Sequence, residues 1–227
     1  MKGRMAIAGV GVSRGDLGIV PKHAYLVIGV GSLYAGAIVL GLISHHLSGP
    51  TAELAARLGS DAEGVERIFG RFRESVREGD VTAMAWCSLL VFTINVLGNI
   101  TNFTLPGILL LPGLGFLLFS GWLTGVNLAG LQASSLASYV WYLVMVSLEL
   151  ATYVLALAAG LNVGLSLLMP ARQQVPSRLR AFGLAWRDAY RLYRIIAMVL
   201  AFQAVLEILY VRQVLVRGGT GVPLTPC

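Results

Sequence analysis

One carboxylate stands out as a group that could do chemistry. Glu149, within Leu148-Glu149-Leu150, is the only charged residue between Val81 and Ala171. An acid inside so long an apolar run is costly unless it is paired, hydrated or neutralised, and such acids commonly mark ion paths or proton relays. Upstream, Asn95, Asn99 and Asn102 fall at i, i+4 and i+7, which places them on one helical stripe. In lipid such amides hydrogen-bond across helices, each contributing about 1 kcal/mol or less, or they line a polar cavity. Ser120 offers a hydroxyl beside Gly121, but the Gly-x-Ser-Gly setting of an intramembrane serine protease is missing, since position 118 is Leu. His23, His45 and His46 all flank one apolar run, and no spacing brings one of them to Ser120. The neighbours His45 and His46 point to different faces of a helix and make a poor metal pair. Gly9, Gly11 and Gly15 have the wrong spacing for a dinucleotide loop, and phosphate-loop or zinc-type motifs are missing. The expectation is a protein that is not an enzyme and uses no cofactor or metal. For Glu149 itself the residues leave open a structural carboxylate, capping a helix or bonded to the Asn stripe, and a functional one.

The elements that must position these groups follow from composition. Of 227 residues, 56% are hydrophobic and only 12% charged, and mean hydropathy is +0.76. That charge fraction is about half of what a soluble domain carries. Long continuous apolar runs, rather than alternating ones, argue against a β-barrel. The expected fold is therefore all-α, a polytopic transmembrane bundle of about five spans. The net charge of +6 suits membrane topology and anionic lipid rather than nucleic acid. Cys87 reads as core, Cys227 ends the chain, and no disulfide framework is expected.

Along the chain, residues 1–22 read as a short cytoplasmic arm. Ala24–Ser44 forms a first span, long enough for the hydrocarbon core, and its Gly29, Gly31, Gly36 and Gly41 suggest a helix packed within the bundle. Residues 51–80 hold seven acids and five arginines. They carry a capping box at Ser60–Glu63 and an apolar face of Val65, Ile68, Phe69, Phe72 and Val76, which predicts an external amphipathic helical hairpin. Val81–Ile100 is the second span. Two Leu-Pro-Gly triplets, at Leu105 and Leu111, predict a tight turn or a short broken element before a third span at about Leu114–Leu131. Within it, Gly121 and Gly125 form a small-xxx-small packing pattern, as Gly160 and Gly164 do later.

Residues 132–170 are too long for one span and cramped for two. The division predicted is a short embedded or interfacial piece, Leu136–Val146, and a fourth span, Leu148–Met169, with Glu149 at its outer mouth. Ala171–Arg194 then reads as a basic amphipathic helix on the inner leaflet. Arg178, Arg180, Arg187, Arg191 and Arg194 face anionic lipid or a partner there. Ile195–Val211 is the fifth span, with Glu207 at an interfacial position. Five spans with the N-terminus cytoplasmic put both Arg-rich segments inside, and they hold ten of the seventeen Lys and Arg. The chain is thus expected in the cell membrane, with its C-terminus external.

These residues resemble a known family. Ser120-Gly-Trp-Leu-Thr-Gly125 is similar to the Asn-Gly-x-x-x-Gly element of the stage II sporulation protein M family, with Ser120 in place of Asn. The Asn-bearing run Val91–Asn102 precedes it. Ser147-Leu-Glu149-Leu150, followed by Ala158-Ala-Gly160 and by Gly164 to Pro170, resembles the family's glutamate–leucine element and its Gly-rich span. Ser147 and Ala151 replace that element's Gly- and Pro-type neighbours. The likeness covers roughly residues 83–170. It implies a non-enzymatic membrane scaffold: members in spore-forming bacteria anchor a cell-wall-degrading complex and recruit its lytic enzymes. Expected partners are anionic lipid, other membrane or envelope proteins, or further copies of the chain, and no nucleic acid. The alternative is a transporter or channel subunit whose polar path runs by Glu149 and the three asparagines.

Overall fold

The computed structural model describes residues 23–47, 70, 72–129 and 136–216. The expected arm 1–22, the 51–69 part of the hairpin and Cys227 lie outside the described residues. Among the described residues the chain is wholly helical. The order is α1 (Ala24–Leu47), α2 (Arg73–Glu78), α3 (Val81–Gly98), a π-helical turn (Asn99–Thr104), α4 (Leu105–Ile108), α5 (Leu111–Ala129), α6 (Leu136–Leu168), a 3-10 turn (Pro170–Gln173) and α7 (Arg178–Val216). Five helical stretches are long and apolar enough to cross a membrane, as the composition leads one to expect.

Contacts fix the direction of every span. Tyr34 and Ala37 lie against Gly121, and Ile38 and Gly41 against Gly125, so α1 and α5 run parallel. Trp141 stacks on Tyr210, and Ala159 and Val163 pack with Ala185 and Ala189, so α6 and α7 are antiparallel. Cys87 and Val91 pack with Ala204 and Ile208, which makes α3 antiparallel to α7 as well. His23 at the start of α1 meets Asp188 near the start of α7. Each span therefore reverses the one before it, and His23 and Val216 lie at opposite ends of the bundle.

The core forms around α6. Tyr34, Phe103, Leu117, Tyr153, Leu157, Ile196 and Leu200 share one buried cluster, drawn from α1, the π turn, α5, α6 and α7. The outer helices expose large apolar side chains such as Ile28, Leu40, Trp86 and Leu97, the pattern of a bundle solvated by lipid.

Several expectations are corrected. Glycine-rich α1 is not enclosed. Only 22% of its span is buried, and a Cβ on Gly29 or Gly36 would meet nothing within 4 Å. Two of its four glycines simply face outward. The second span does not end at Ile100. Pro106 has no N–H to give to the carbonyl four residues back, and its ring crowds that carbonyl. The helix answers by widening into the π turn just ahead of the proline and runs on to Ile108. The chain turns at Leu109–Leu110, where Leu110 takes φ 62°, and the third span starts at Leu111 rather than Leu114. Gly107 and Gly113 close this turn: a Cβ on Gly113 would lie 2.5 Å from the Gly107 Cα.

The fourth span is one 33-residue helix, with no break between Val146 and Leu148. No proline or glycine interrupts residues 136–159, so nothing stops the helix there. It is about 50 Å long at ~1.5 Å per residue and outreaches a hydrocarbon core of about 30 Å. The basic segment and the fifth span are likewise a single 39-residue helix, α7. Outside the spans, Asp80 caps α3 by accepting from the Thr82 N–H at 2.8 Å. Gly79 before it takes φ 84°, a left-handed conformation that glycine adopts freely, with the Arg212 guanidinium lying over it.

Candidate functional site

The polar groups gather where α6 faces α7 and the π turn. Glu149 is 6% exposed, near the middle of α6 rather than at a helix end, because α6 begins twelve residues earlier than the fourth span expected from sequence. The Tyr153 hydroxyl, one turn on, donates to Glu149 Oε1. Thr152 donates to the Glu149 carbonyl at 2.7 Å and is itself fully buried. Asn99 reaches across from the π turn: its Nδ2 donates to the Asn95 carbonyl at 2.9 Å and to Thr152 Oγ1 at 3.4 Å. Asn99 is fully buried, and its Oδ1 has no hydrogen-bond partner among the described residues.

The expected Asn stripe is split. Asn95 is half-buried and Asn99 is buried, but Asn102 is exposed and accepts from Thr101. A π turn holds about 4.4 residues rather than 3.6, so positions i+4 and i+7 no longer share a face across it. The same turn is seated on α6 by other groups. Thr104 donates to the Ala156 carbonyl at 2.9 Å, and Phe103 stacks on Tyr153 with centroids 4.4 Å apart. Gly160 and Gly164 form the notch beneath it: a Cβ on either would collide with the carbonyl oxygen of Thr104 or of Ile108.

Glu207, expected at an interfacial position, is half-buried on α7. Helix α7 continues nine residues beyond it to Val216, and the Glu207 carboxyl lies within electrostatic range of Glu149. Gln203, one turn earlier, is 2% exposed with Oε1 unpartnered among the described residues. It precedes Tyr210 by seven residues, about two helical turns, so the two side chains leave α7 in nearly the same direction. Tyr210 stacks on Trp141 of α6, so Gln203 faces α6 as well. Sequence reading passed over Gln203, yet a signal was present. It is the only amide in 195–211, and it stands four residues before the only acid there.

The remaining candidates sit elsewhere. Ser120 is half-buried, 3.3 Å from the Tyr34 hydroxyl, on the face where α5 meets α1. Gly121 and Gly125 press on α1, and a Cβ on Gly125 would collide with the Ile38 carbonyl oxygen. Trp122 donates to Ser44 at 2.8 Å on the same side. Arg178, Arg180 and Arg187 are exposed on α7, while Arg191 and Arg194 are half-buried. Arg191 stands 3.8 Å from Asp188, which also meets His23 at 3.3 Å in a buried pair. With Ala181, Ala185 and Ala189 buried, the outer side of this part of α7 presents Leu179, Trp186 and Tyr190 beside the arginines.

What this arrangement can do chemically is limited and definite. It holds two acids, two buried amides and several hydroxyls at membrane depth, a set suited to holding a cation or a proton. Among the described residues Ser120 meets a phenol, the Tyr34 hydroxyl, rather than an imidazole or lysine. Comparison of the chain with known families, with curated proteins and with solved structures gives no match.

Proposed function

We propose that the chain is a non-enzymatic membrane scaffold, an anchor that recruits other membrane or envelope proteins, as its resemblance to the stage II sporulation protein M family implies. The observation that supports this best is the way the bundle is locked. At Gly41, Gly125, Gly160 and Gly164 the space of a single Cβ is already filled by a neighbouring backbone carbonyl. Helices seated that closely keep one arrangement, because packed interfaces shift between discrete states rather than deform smoothly. A fixed frame suits an anchor. It also gives α7 a rigid base from which its Arg178–Tyr190 end projects. At about 58 Å, α7 is roughly twice the hydrocarbon thickness. The arginine end lies at the cytoplasmic face of the cell membrane in this reading, against anionic headgroups, and residues 51–69 dock the external partner.

The test is affinity purification from native membranes in mild detergent. It compares the wild type with a chain in which 51–69 is replaced by a Gly/Ser linker of equal length. Residues 72–80 are kept, since Val76 is buried against Ala83 and Ile208 and Asp80 caps α3. A stoichiometric partner lost from the linker variant is the expected result. A partner retained by that variant rejects the docking segment, and a chain that comes out alone rejects the scaffold.

Buried Glu149, with the half-buried Glu207 of α7 within its electrostatic range, favours a second reading, a transporter or channel subunit. It requires flux in proteoliposomes that Glu149→Gln weakens. An oriented, folded preparation that moves no solute of a broad panel removes it.

A further inference from the structure

One outward row of α7 changes its chemistry along the helix. Arg180, Arg187, Arg191 and Arg194 follow one another by seven, four and three residues, so they share one side. The row continues by fours into Met198 and Phe202, which are 37% and 60% exposed. Arg180 and Arg187 are exposed, and Arg191 and Arg194 are half-buried. The one acid in residues 171–206 is Asp188, which is buried, meets His23 and stands 3.8 Å from Arg191. Among the described residues no ion pair involves Arg180 or Arg187. The polar part of the row therefore carries a surplus of positive charge. The level of the change has a second marker. His23, which meets Asp188, directly precedes the apolar run of α1. Asp188 lies about 9 Å along α7 from Arg194. Two helices thus pass from polar to apolar at nearly one level. Trp186 and Tyr190, exposed beside the arginines, are of the type that settles at a membrane–water boundary.

We propose that Arg187, Arg191 and Arg194 hold the phosphate of one anionic phospholipid, whose acyl chain lies along Met198 and Phe202. A guanidinium offers a phosphate two parallel N–H donors, and the three arginines fall within two turns of the apolar edge. Continuity of the row decides for lipid over an acidic protein surface. Charge for a headgroup and apolar surface for a chain stand one turn apart, between Arg194 and Met198, and one lipid molecule satisfies both. An acidic protein would match the arginines alone. The bound lipid pins α7 at the point where its Arg178–Arg187 end leaves the bundle. The inference deepens the scaffold reading, since it rests on the placement of this end of α7 at a membrane face.

The experiment uses the purified full-length chain in detergent, titrated with phosphatidylglycerol or with phosphatidylcholine of the same acyl chains. Native mass spectrometry counts the lipid retained. Phosphatidylglycerol is expected to half-fill the chain at about tenfold lower concentration, and Arg187→Gln to cut that preference about fivefold, the scale of one arginine at an anionic surface. Arg180→Gln, two turns farther from Met198, is expected to leave it nearly unchanged. Equal retention of both lipids overturns the site and leaves the arginines to an acidic protein surface. A preference kept by Arg187→Gln, or cut as deeply by Arg180→Gln, overturns it too. Excess inorganic phosphate is expected not to displace the lipid; displacement would make this a site for free phosphate and reject the proposal. Should Arg187→Gln fail to fold, the wild type at raised ionic strength decides. A preference that falls with salt supports the site, and one that ignores salt rejects it. The assay holds no protein partner, so its failure rejects the lipid site alone, while a chain that comes out of native membranes without a partner rejects the scaffold.

Discussion

Where α1 meets α5, backbone touches backbone; where α6 meets α7 around Glu149, long polar side chains fill the gap. The first contact is built from absence. Gly41 and Gly125 have no side chain, so the Cα of each lies within 2.9 Å of where a Cβ on the other would be. In lipid no hydrophobic drive pushes helices together, and close van der Waals contact supplies much of what holds them. Weak Cα–H···O contacts add to it at this range. The second contact spends side chains instead. Trp141 stacks on Tyr210 across it, Tyr153 bonds Glu149 within α6, Asn99 ties the π turn to Thr152 of α6, and among the described residues the amide oxygens of Asn99 and Gln203 stay unmatched. The glycine contact is closed, with no room left for a side chain at Gly41, Gly121 or Gly125. The polar contact is specific, and it leaves buried amide oxygens unmatched among the described residues. The difference teaches that rigidity and chemistry are separated within one small bundle.

The largest effect should come from filling the glycine contact. Gly125→Leu forces a branched side chain into the Ile38 carbonyl, and α1 must leave α5 to admit it. Overpacking of a tight core costs about 1–3 kcal/mol or more, and here the obstacle is backbone. The expected outcome is loss of the folded bundle, or a midpoint lowered by about 10 °C, read by thermal unfolding in detergent. A variant that unfolds with the wild type would break the comparison, since the closest approach would then carry no stability.

Next comes the polar contact. Tyr153→Phe leaves the ring that stacks on Phe103 but removes the donor to Glu149. Leaving a buried acceptor short of its partner costs about 1–3 kcal/mol. The loss should shrink when Glu149 is already Gln, so the double-mutant cycle should show coupling of about 0.5 kcal/mol or more. Additive losses would mean that Glu149 and Tyr153 act separately, and the polar contact would then be no network. Thr104→Val probes the seat of the π turn in the same way. It removes the bond to the Ala156 carbonyl and the contact with the Tyr193 hydroxyl, and should cost about 1 kcal/mol.

These two contacts also mark what could be read from the chain alone. The five apolar runs and the isolation of Glu149 are properties of composition, and they gave the all-α membrane class without any contact. Span limits were harder. Sequence reading expected a division between Val146 and Leu148 because 39 residues exceed one membrane crossing, but helices stop where backbone chemistry stops them, not where the bilayer ends. Leu136–Leu168 holds no breaker before Gly160 and runs through. The Asn stripe failed for a subtler reason: Pro106, outside the stripe, imposes the π turn that rotates Asn102 outward. Which glycines matter was also hidden, since Gly36 and Gly41 look alike in sequence and only packing separates them.

That last distinction gives the smallest predicted effect. Gly36→Ala places a methyl where nothing lies within 4 Å, on the outward side of α1. Alanine is the better helix former by about 1 kcal/mol, so the substitution should leave the midpoint unchanged or raise it by about 2–4 °C. Gly29→Ala should behave the same way, for the same reason. Both are measured beside Gly125→Leu in one preparation. If either alanine variant instead loses stability, the outward face of α1 is covered in the membrane. Size-exclusion chromatography with light scattering would then tell a second copy of the chain from a different protein. If both behave as expected, close packing belongs to the inward glycines alone, and the frame is complete within a single chain.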